Sequence, residues 1–134
     1  YTEYLYPSGG GAADREVGLS AGLGVGGIDF GAGLFYGVDG GIEKSLYLEL
    51  SAGAELELSE ELGLELGATV GYMSPDEGED GFSHYTASVE LSYLALSAGV
   101  TYVGQIDDDV LPDVADGGPY DTEVVGTIGA GVEF

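Results

Sequence analysis

The sequence predicts an all-β chain: an eight-stranded antiparallel up-and-down β-barrel, apolar outside and small, polar and acidic inside. Three observations predict it. Apolar residues recur at every second position through most of the chain, long and short connections alternate, and aromatic residues collect at the ends of the apolar stretches.

The clearest alternation runs from Leu46 to Tyr72. Leu46, Leu48, Leu50, Ala52, Ala54, Leu56 and Leu58 share one parity, and after Ser59-Glu60-Glu61 it resumes with Leu62, Leu64, Leu66, Ala68, Val70 and Tyr72. Between them stand Tyr47, Glu49, Ser51, Gly53, Glu55 and Glu57, then Gly63, Glu65, Gly67, Thr69 and Gly71. Successive side chains on a strand point to opposite faces, so this period of two sorts one apolar face from one small, polar face. On a helix the same residues would scatter around the whole surface, and the glycines would weaken it further. The stretch reads as a hairpin of two long strands.

The remaining strands follow in order. Tyr1–Tyr6 is a short aromatic strand ended by Pro7, and 8–14 is a loop. From Arg15 to Val25 the apolar parity is Val17, Leu19, Ala21, Leu23 and Val25, and Gly26-Gly27 is a tight-turn signal. Ile28, Phe30, Ala32, Leu34, Tyr36 and Val38 form the next apolar face, and 39–44 is a loop. Beyond the central hairpin, 74–83 is a Pro/Gly/acid loop, and Tyr85, Ala87, Val89, Leu91 and Tyr93 face outward on the sixth strand. Parity flips at Leu94-Ala95, as a tight turn requires, and Leu96, Ala98, Val100 and Tyr102 continue it. The longest and most acidic loop is 105–121, and the last strand carries Val124, Gly126, Ile128, Ala130, Val132 and Phe134. The chain of 134 residues is one domain, 1–134.

Composition narrows the function. Two Lys/Arg against 25 Asp/Glu give a formal charge of −23, which excludes a nucleic-acid partner, because phosphate binding needs a basic surface. An apolar content of 44% in strict alternation argues against disorder. Without cysteine there is no disulfide framework or thiolate chemistry. No apolar run is long enough for a transmembrane helix. Tyr1 opens the sequence without a signal-peptide pattern, so an exported protein would carry these residues as its processed form.

Strands of globular proteins average about 5–6 residues. The central pair is about twice that, the length of strands that cross a bilayer with apolar side chains toward lipid. Links after strands one, three, five and seven are long, and those after two, four and six are short, matching the outer loops and periplasmic turns of such barrels. Tyr36, Tyr72, Tyr85 and Tyr102 mark the long-loop ends of the apolar face; Phe30, Tyr93 and Phe134 mark the short-turn ends. They read as two aromatic girdles. Tyr85 and Tyr93 would stand roughly 20 Å apart along the membrane normal, near the height of an apolar band.

The chain thus resembles bacterial outer-membrane β-barrel proteins. Strand eight, TEVVGTIGAGVEF, ends in a terminal aromatic, similar to the C-terminal signature read by the barrel-insertion machinery. YLELSAGAELELSEELGLELGATVGY and SVELSYLALSAGVTYVGQ resemble the later strands of TorF-type putative porins, which are longer. The resemblance implies residence in the outer membrane and brings no catalytic motif.

Candidate sites are acidic. Glu49, Glu55, Glu65 and Glu90 point inward as a cation path, with Glu16, Glu57 and Glu133 nearer the rims and only Arg15 and Lys44 as basic residues. Either the glycine-rich lumen holds water and cations, or mutual repulsion keeps some of these acids protonated. Asp76, Glu77, Asp107, Asp108 and Asp109 offer oxygen ligands for Ca²⁺ in the loops, without EF-hand spacing; a solvated acidic surface is the plainer reading. His84 has no partner evident in the sequence and reads as structural. No nucleophile or metalloprotease motif occurs, and Gly22, Gly24, Gly26 and Gly27 lack the Lys and helix of a nucleotide loop, so an enzyme is not indicated.

Two function classes follow. One is a structural or porin-like outer-membrane barrel with a narrow, cation-preferring lumen. The other is a subunit of an extracellular filament or tube that buries its apolar face against copies of itself, with Tyr1–Tyr6 exchanged between neighbours. A soluble lipocalin-like carrier would point the apolar face inward and leave the girdles unexplained.

Overall fold

A computed structural model describes residues 1–5, 13–107, 110 and 122–130. Eight strands form one antiparallel sheet in sequence order: β1 (Thr2–Tyr4), β2 (Asp14–Val25), β3 (Ile28–Asp39), β4 (Leu46–Ser59), β5 (Leu62–Ser74), β6 (Gly81–Tyr93), β7 (Leu96–Gln105) and β8 (Thr122–Ala130). Each strand pairs with the next one along the chain. The up-and-down order and the alternation of connections are those the sequence predicts.

Three hairpins close through two residues. Gly26 and Gly27 both have positive φ, the geometry that matches the twist of the flanking strands. Glu60-Glu61 follow a bulge at Leu58, between Glu57 and Ser59. At the third turn Leu94 itself takes φ 52°, a region that favours glycine, and its N–H donates to the Glu61 carbonyl at 2.9 Å.

Several boundaries differ from expectation. β1 has three residues, not six, and Tyr6 lies outside the described residues. β6 begins at Gly81 instead of His84, because a bulge at Ser83 breaks the alternation without ending the strand. The 39–44 loop contains a 3-10 turn, Gly40–Ile42, whose first N–H is capped by the Asp39 side chain. The predicted loop 105–121 and the ends of the last strand, with Glu133 and Phe134, lie almost entirely outside the described residues.

The largest difference is at the edges. β1 pairs only with Asp14–Glu16 of β2, and among the described residues no ladder joins β1 to β8. The sheet is therefore open, not a closed barrel, and no described strand lies on the far side of β2 from Val17 to Val25.

Burial is inverted relative to a globular domain. Leu50, Leu66, Val89, Leu91 and Val100 are all exposed, while Ser51, Thr69, Ser88, Glu90 and Thr101 on the opposite face are half-buried. Among the described residues Val110 is the one buried hydrophobic. Glycines on the polar face receive the serines of neighbouring strands: a Cβ at Gly67 would lie 2.5 Å from Ser88 Oγ, and one at Gly63 2.7 Å from Ser92 Oγ. The more enclosed side of the sheet is its polar side.

Candidate functional site: the acidic polar face

Register assembles the acids. Glu55 of β4 stands opposite Glu65 of β5, and Glu65 stands opposite Glu90 of β6, so three carboxylates occupy one level on three adjacent strands. Like charges directly opposite are unfavourable in a ladder, and neither basic residue joins the row. Glu49 sits higher, between Gly33 and Gly71, apart from the other three. Asp29, which the strand parity also places on this face, borders the same central hollow as Glu65, Ser51, Thr69 and Ser88. Its alternation with Gly31 and Gly33 makes Asp29 legible in the sequence as a further acid of this face.

Toward the long loops the polar face holds a ring cluster. Phe35 and Tyr47 have centroids 5.9 Å apart, and Tyr47 stacks on His84 at 6.1 Å with 5° between planes. Tyr47 and His84 belong to β4 and β6, and they meet because the intervening β5 residue is Gly71. A Cβ there would fall 2.7 Å from His84 Cε1 and 2.8 Å from Tyr47. The Tyr47 hydroxyl donates to Glu49 at 3.2 Å and lies 3.5 Å from His84 Nε2. On the other side of the ring, Ser83 Oγ is 3.1 Å from His84 Nδ1, and Ser83 is 1% exposed. His84 therefore has partners on both nitrogens, where the sequence offered none.

Among the loop acids, Asp76 and Asp80 are engaged by side chains of the protein. Asp76 accepts an ion pair from Lys44 at 3.3 Å, and this contact holds the Lys44 ammonium above its ordinary value. Asp80 accepts from the Tyr72 hydroxyl at 2.6 Å. Glu77 is exposed, Asp107 approaches Gly81, and Asp108 and Asp109 lie outside the described residues. Among the described residues no three His, Cys, Asp or Glu side chains are grouped to hold a metal ion. Arg15 is engaged by Asp39 at 2.7 Å and Glu3 at 3.2 Å.

On the apolar face the aromatic residues form two oblique rows. Tyr36 is level with Leu46 and, through it, with Ser74. Tyr72 lies two positions nearer the short turns than Ser74, Tyr85 two below Tyr72, and Tyr102 two below Tyr85. These steps amount to about 20 Å along the strands for about 19 Å across them, a slant of about 45°. Phe30 is level with Ala52, Ala68 and Ala87, so Tyr93 lies six positions below it on β6. The second row slants in the same direction as the first.

No family model matches the chain, and the searches for similar curated proteins and solved structures found no match.

Proposed function

We propose that the chain forms the wall of a transmembrane β-barrel of the outer-membrane type, with its apolar face toward lipid and an acid-lined, cation-preferring interior. One observation carries this reading: the aromatic row from Tyr36 to Tyr102 slants across the apolar face at about 45°, near the 35–45° by which barrel strands tilt, and Phe30 and Tyr93 descend in the same direction. Two belts lying flat at the two surfaces of a bilayer would trace such lines on tilted strands. The exposed Leu and Val between the rows supply an apolar band, and the sorting of glycine, serine and glutamate to the opposite face supplies a wet interior. Closure requires the free edge of β2 to be covered, since backbone groups in lipid must be paired. The barrel-insertion machinery is the partner this reading implies, and the outer membrane its location. The likeness to TorF-type putative porins rests on strand texture alone.

Folding into neutral detergent and lipid vesicles tests it. Boiled and unboiled samples are expected to migrate differently in SDS gels, with a β-type circular dichroism spectrum. Identical migration, together with failure to partition into vesicles, would remove the membrane reading.

The unpaired edge favours a second reading, self-assembly outside a membrane. Edge strands are ordinarily blunted by charge or proline, yet Val17–Val25 has neither and is exposed throughout. Its sequence, Val-Gly-Leu-Ser-Ala-Gly-Leu-Gly-Val, is nearly the same in both directions. Two copies paired antiparallel about Ala21 would set Val17 against Val25 and Leu19 against Leu23, with no charge at the seam. An Ala21→Cys variant released without detergent would then cross-link symmetrically, and negative-stain images would show filaments instead of amorphous aggregate.

A further inference from the structure

At the long-loop end of the polar face lies a cavity of about 230 Å³. Its walls include Tyr4, Glu16, Phe35, Ile42, Tyr47 and Met73, drawn from five strands and the 3-10 turn. The turn is what makes it a cavity. Gly40–Ile42 folds back over the polar face, where a Cβ on Gly37 would overlap the Ile42 carbonyl. The Gly37 N–H donates to the Ser45 carbonyl at 2.9 Å, Lys44 N–H donates to the Gly37 carbonyl at 2.8 Å, and Gly41 N–H donates to Asp14.

We infer that this cavity binds a small organic cation, an ammonium group carrying a short apolar body. Three features of its wall point to that chemistry. Three rings, Tyr4, Phe35 and Tyr47, and the Met73 thioether share the lining with Ile42, and ring faces attract ammonium groups through their quadrupole. Asp14 and Glu16 place carboxylates in the same wall, and Tyr4 donates to Glu16 Oε1 at 2.8 Å, fixing its orientation. No basic side chain competes: Arg15 engages Glu3 and Asp39, Lys44 engages Asp76, and the sequence has no other Lys or Arg. An anion is opposed by these carboxylates and by the formal charge of −23. A wholly apolar molecule would leave a carboxylate desolvated beside it. The size sets the upper limit. The cavity exceeds the roughly 150 Å³ that holds one benzene and falls short of the about 300 Å³ where drug-sized sites begin. One ring, or a trimethylammonium head with a two-carbon tail, matches it.

The test uses the full chain folded in a maltoside detergent, because phosphocholine detergents would themselves occupy the site. Choline and its uncharged isostere 3,3-dimethylbutan-1-ol are titrated by calorimetry, with tyrosine fluorescence as a second signal. Choline is expected to saturate one site and to bind roughly fivefold or more tightly than the isostere, the size of a cation–π contact at a partly open site. Glu16→Gln keeps the acceptor for Tyr4 and is expected to reduce that preference to the share the rings supply. Glu79→Gln, which removes the same charge from an exposed loop, is expected to leave it unchanged. Equal binding of choline and isostere would overturn the inference. So would equal losses in the two variants, which would mean diffuse attraction to an acidic protein. A sample that keeps its β spectrum but saturates with neither molecule would overturn it as well. None of these outcomes depends on whether the chain enters a membrane.

Discussion

Glu55 and Glu65 face each other across the β4–β5 ladder, and Glu65 meets Glu90 in the same way across the next. Glu65 is thus the middle of a row of like charges. Replacing it with glutamine removes two unfavourable cross-strand pairs at once, each about 0.2–1 kcal/mol. Glu65→Gln is therefore expected to unfold at higher urea than the native chain, and the gain should shrink in high salt. If the chain conducts, the same variant should lose part of its cation preference in planar bilayers under a salt gradient. An anion-selective native protein would contradict an acid-lined interior.

The two faces of β4 and β5 should answer oppositely to charge. Leu50→Arg or Leu66→Arg puts a guanidinium on the apolar face between the aromatic rows, and is expected to cost about 2–4 kcal/mol in a bilayer. Ser51→Arg enters the polar face, whose central hollow Glu65 borders, and should cost far less. Unfolding in vesicles measures the three variants. Greater damage from Ser51→Arg would mean that the faces are assigned the wrong way round.

Gly71 is the gap through which Tyr47 and His84 meet. A valine there would force both rings aside, an overpacking penalty of about 1–3 kcal/mol. The near-ultraviolet tyrosine signal should change along with the melting temperature. Gly53→Val is the comparison, since the nearest atom to a Cβ at Gly53 is a backbone oxygen at 3.4 Å and no ring lies against it. Equal effects from the two would show that the ring pair contributes nothing specific.

Lys44 and Asp76 tie the 39–44 loop to the loop after β5. Asp76 raises the lysine above its ordinary value of 10.5, so the folded state holds this proton more tightly than the unfolded chain does. The contribution is complete below pH 10.5 and fades as the pH climbs through the folded value. Both groups are exposed, so the effect is small and screened by salt. Native protein should melt slightly above Lys44→Met at pH 8 and level with it near the alkaline end of the titration. A difference that persists there would belong to packing of the lysine stem.

Strand order, the two faces and the short turns were legible in the sequence because side-chain alternation is a local property of a strand. Leu46–Tyr72 shows it without interruption. Where the backbone departs from regular pleating the alternation is lost, as at Phe82-Ser83-His84, whose bulge hid the first three residues of β6. The ring cluster was hidden for a different reason. Tyr47 and His84 lie 37 positions apart, and their meeting depends on the register of two ladders and on a missing side chain between them. The acid row was half legible: parity put Glu55, Glu65 and Glu90 on one face, but only pairing put them at one level, leaving Glu49 elsewhere. The Lys44–Asp76 pair, joining residues of separate loops, had no periodic signal at all.

Most domains measure their stability by what unfolding exposes to water. Here most Leu and Val side chains of the apolar face are already partly exposed in the folded sheet, and Val110 is the one buried hydrophobic among the described residues. Unfolding in water would uncover less further apolar surface than it does in a domain with a buried core. The heat-capacity increment should therefore fall well under the usual 12–15 cal/mol/K per residue, roughly speaking, and the denaturant slope should be shallow for the chain's length. Both quantities should rise once a lipid, a detergent or another protein surface covers that face. The stability curve of this fold belongs as much to the surrounding phase as to the polypeptide.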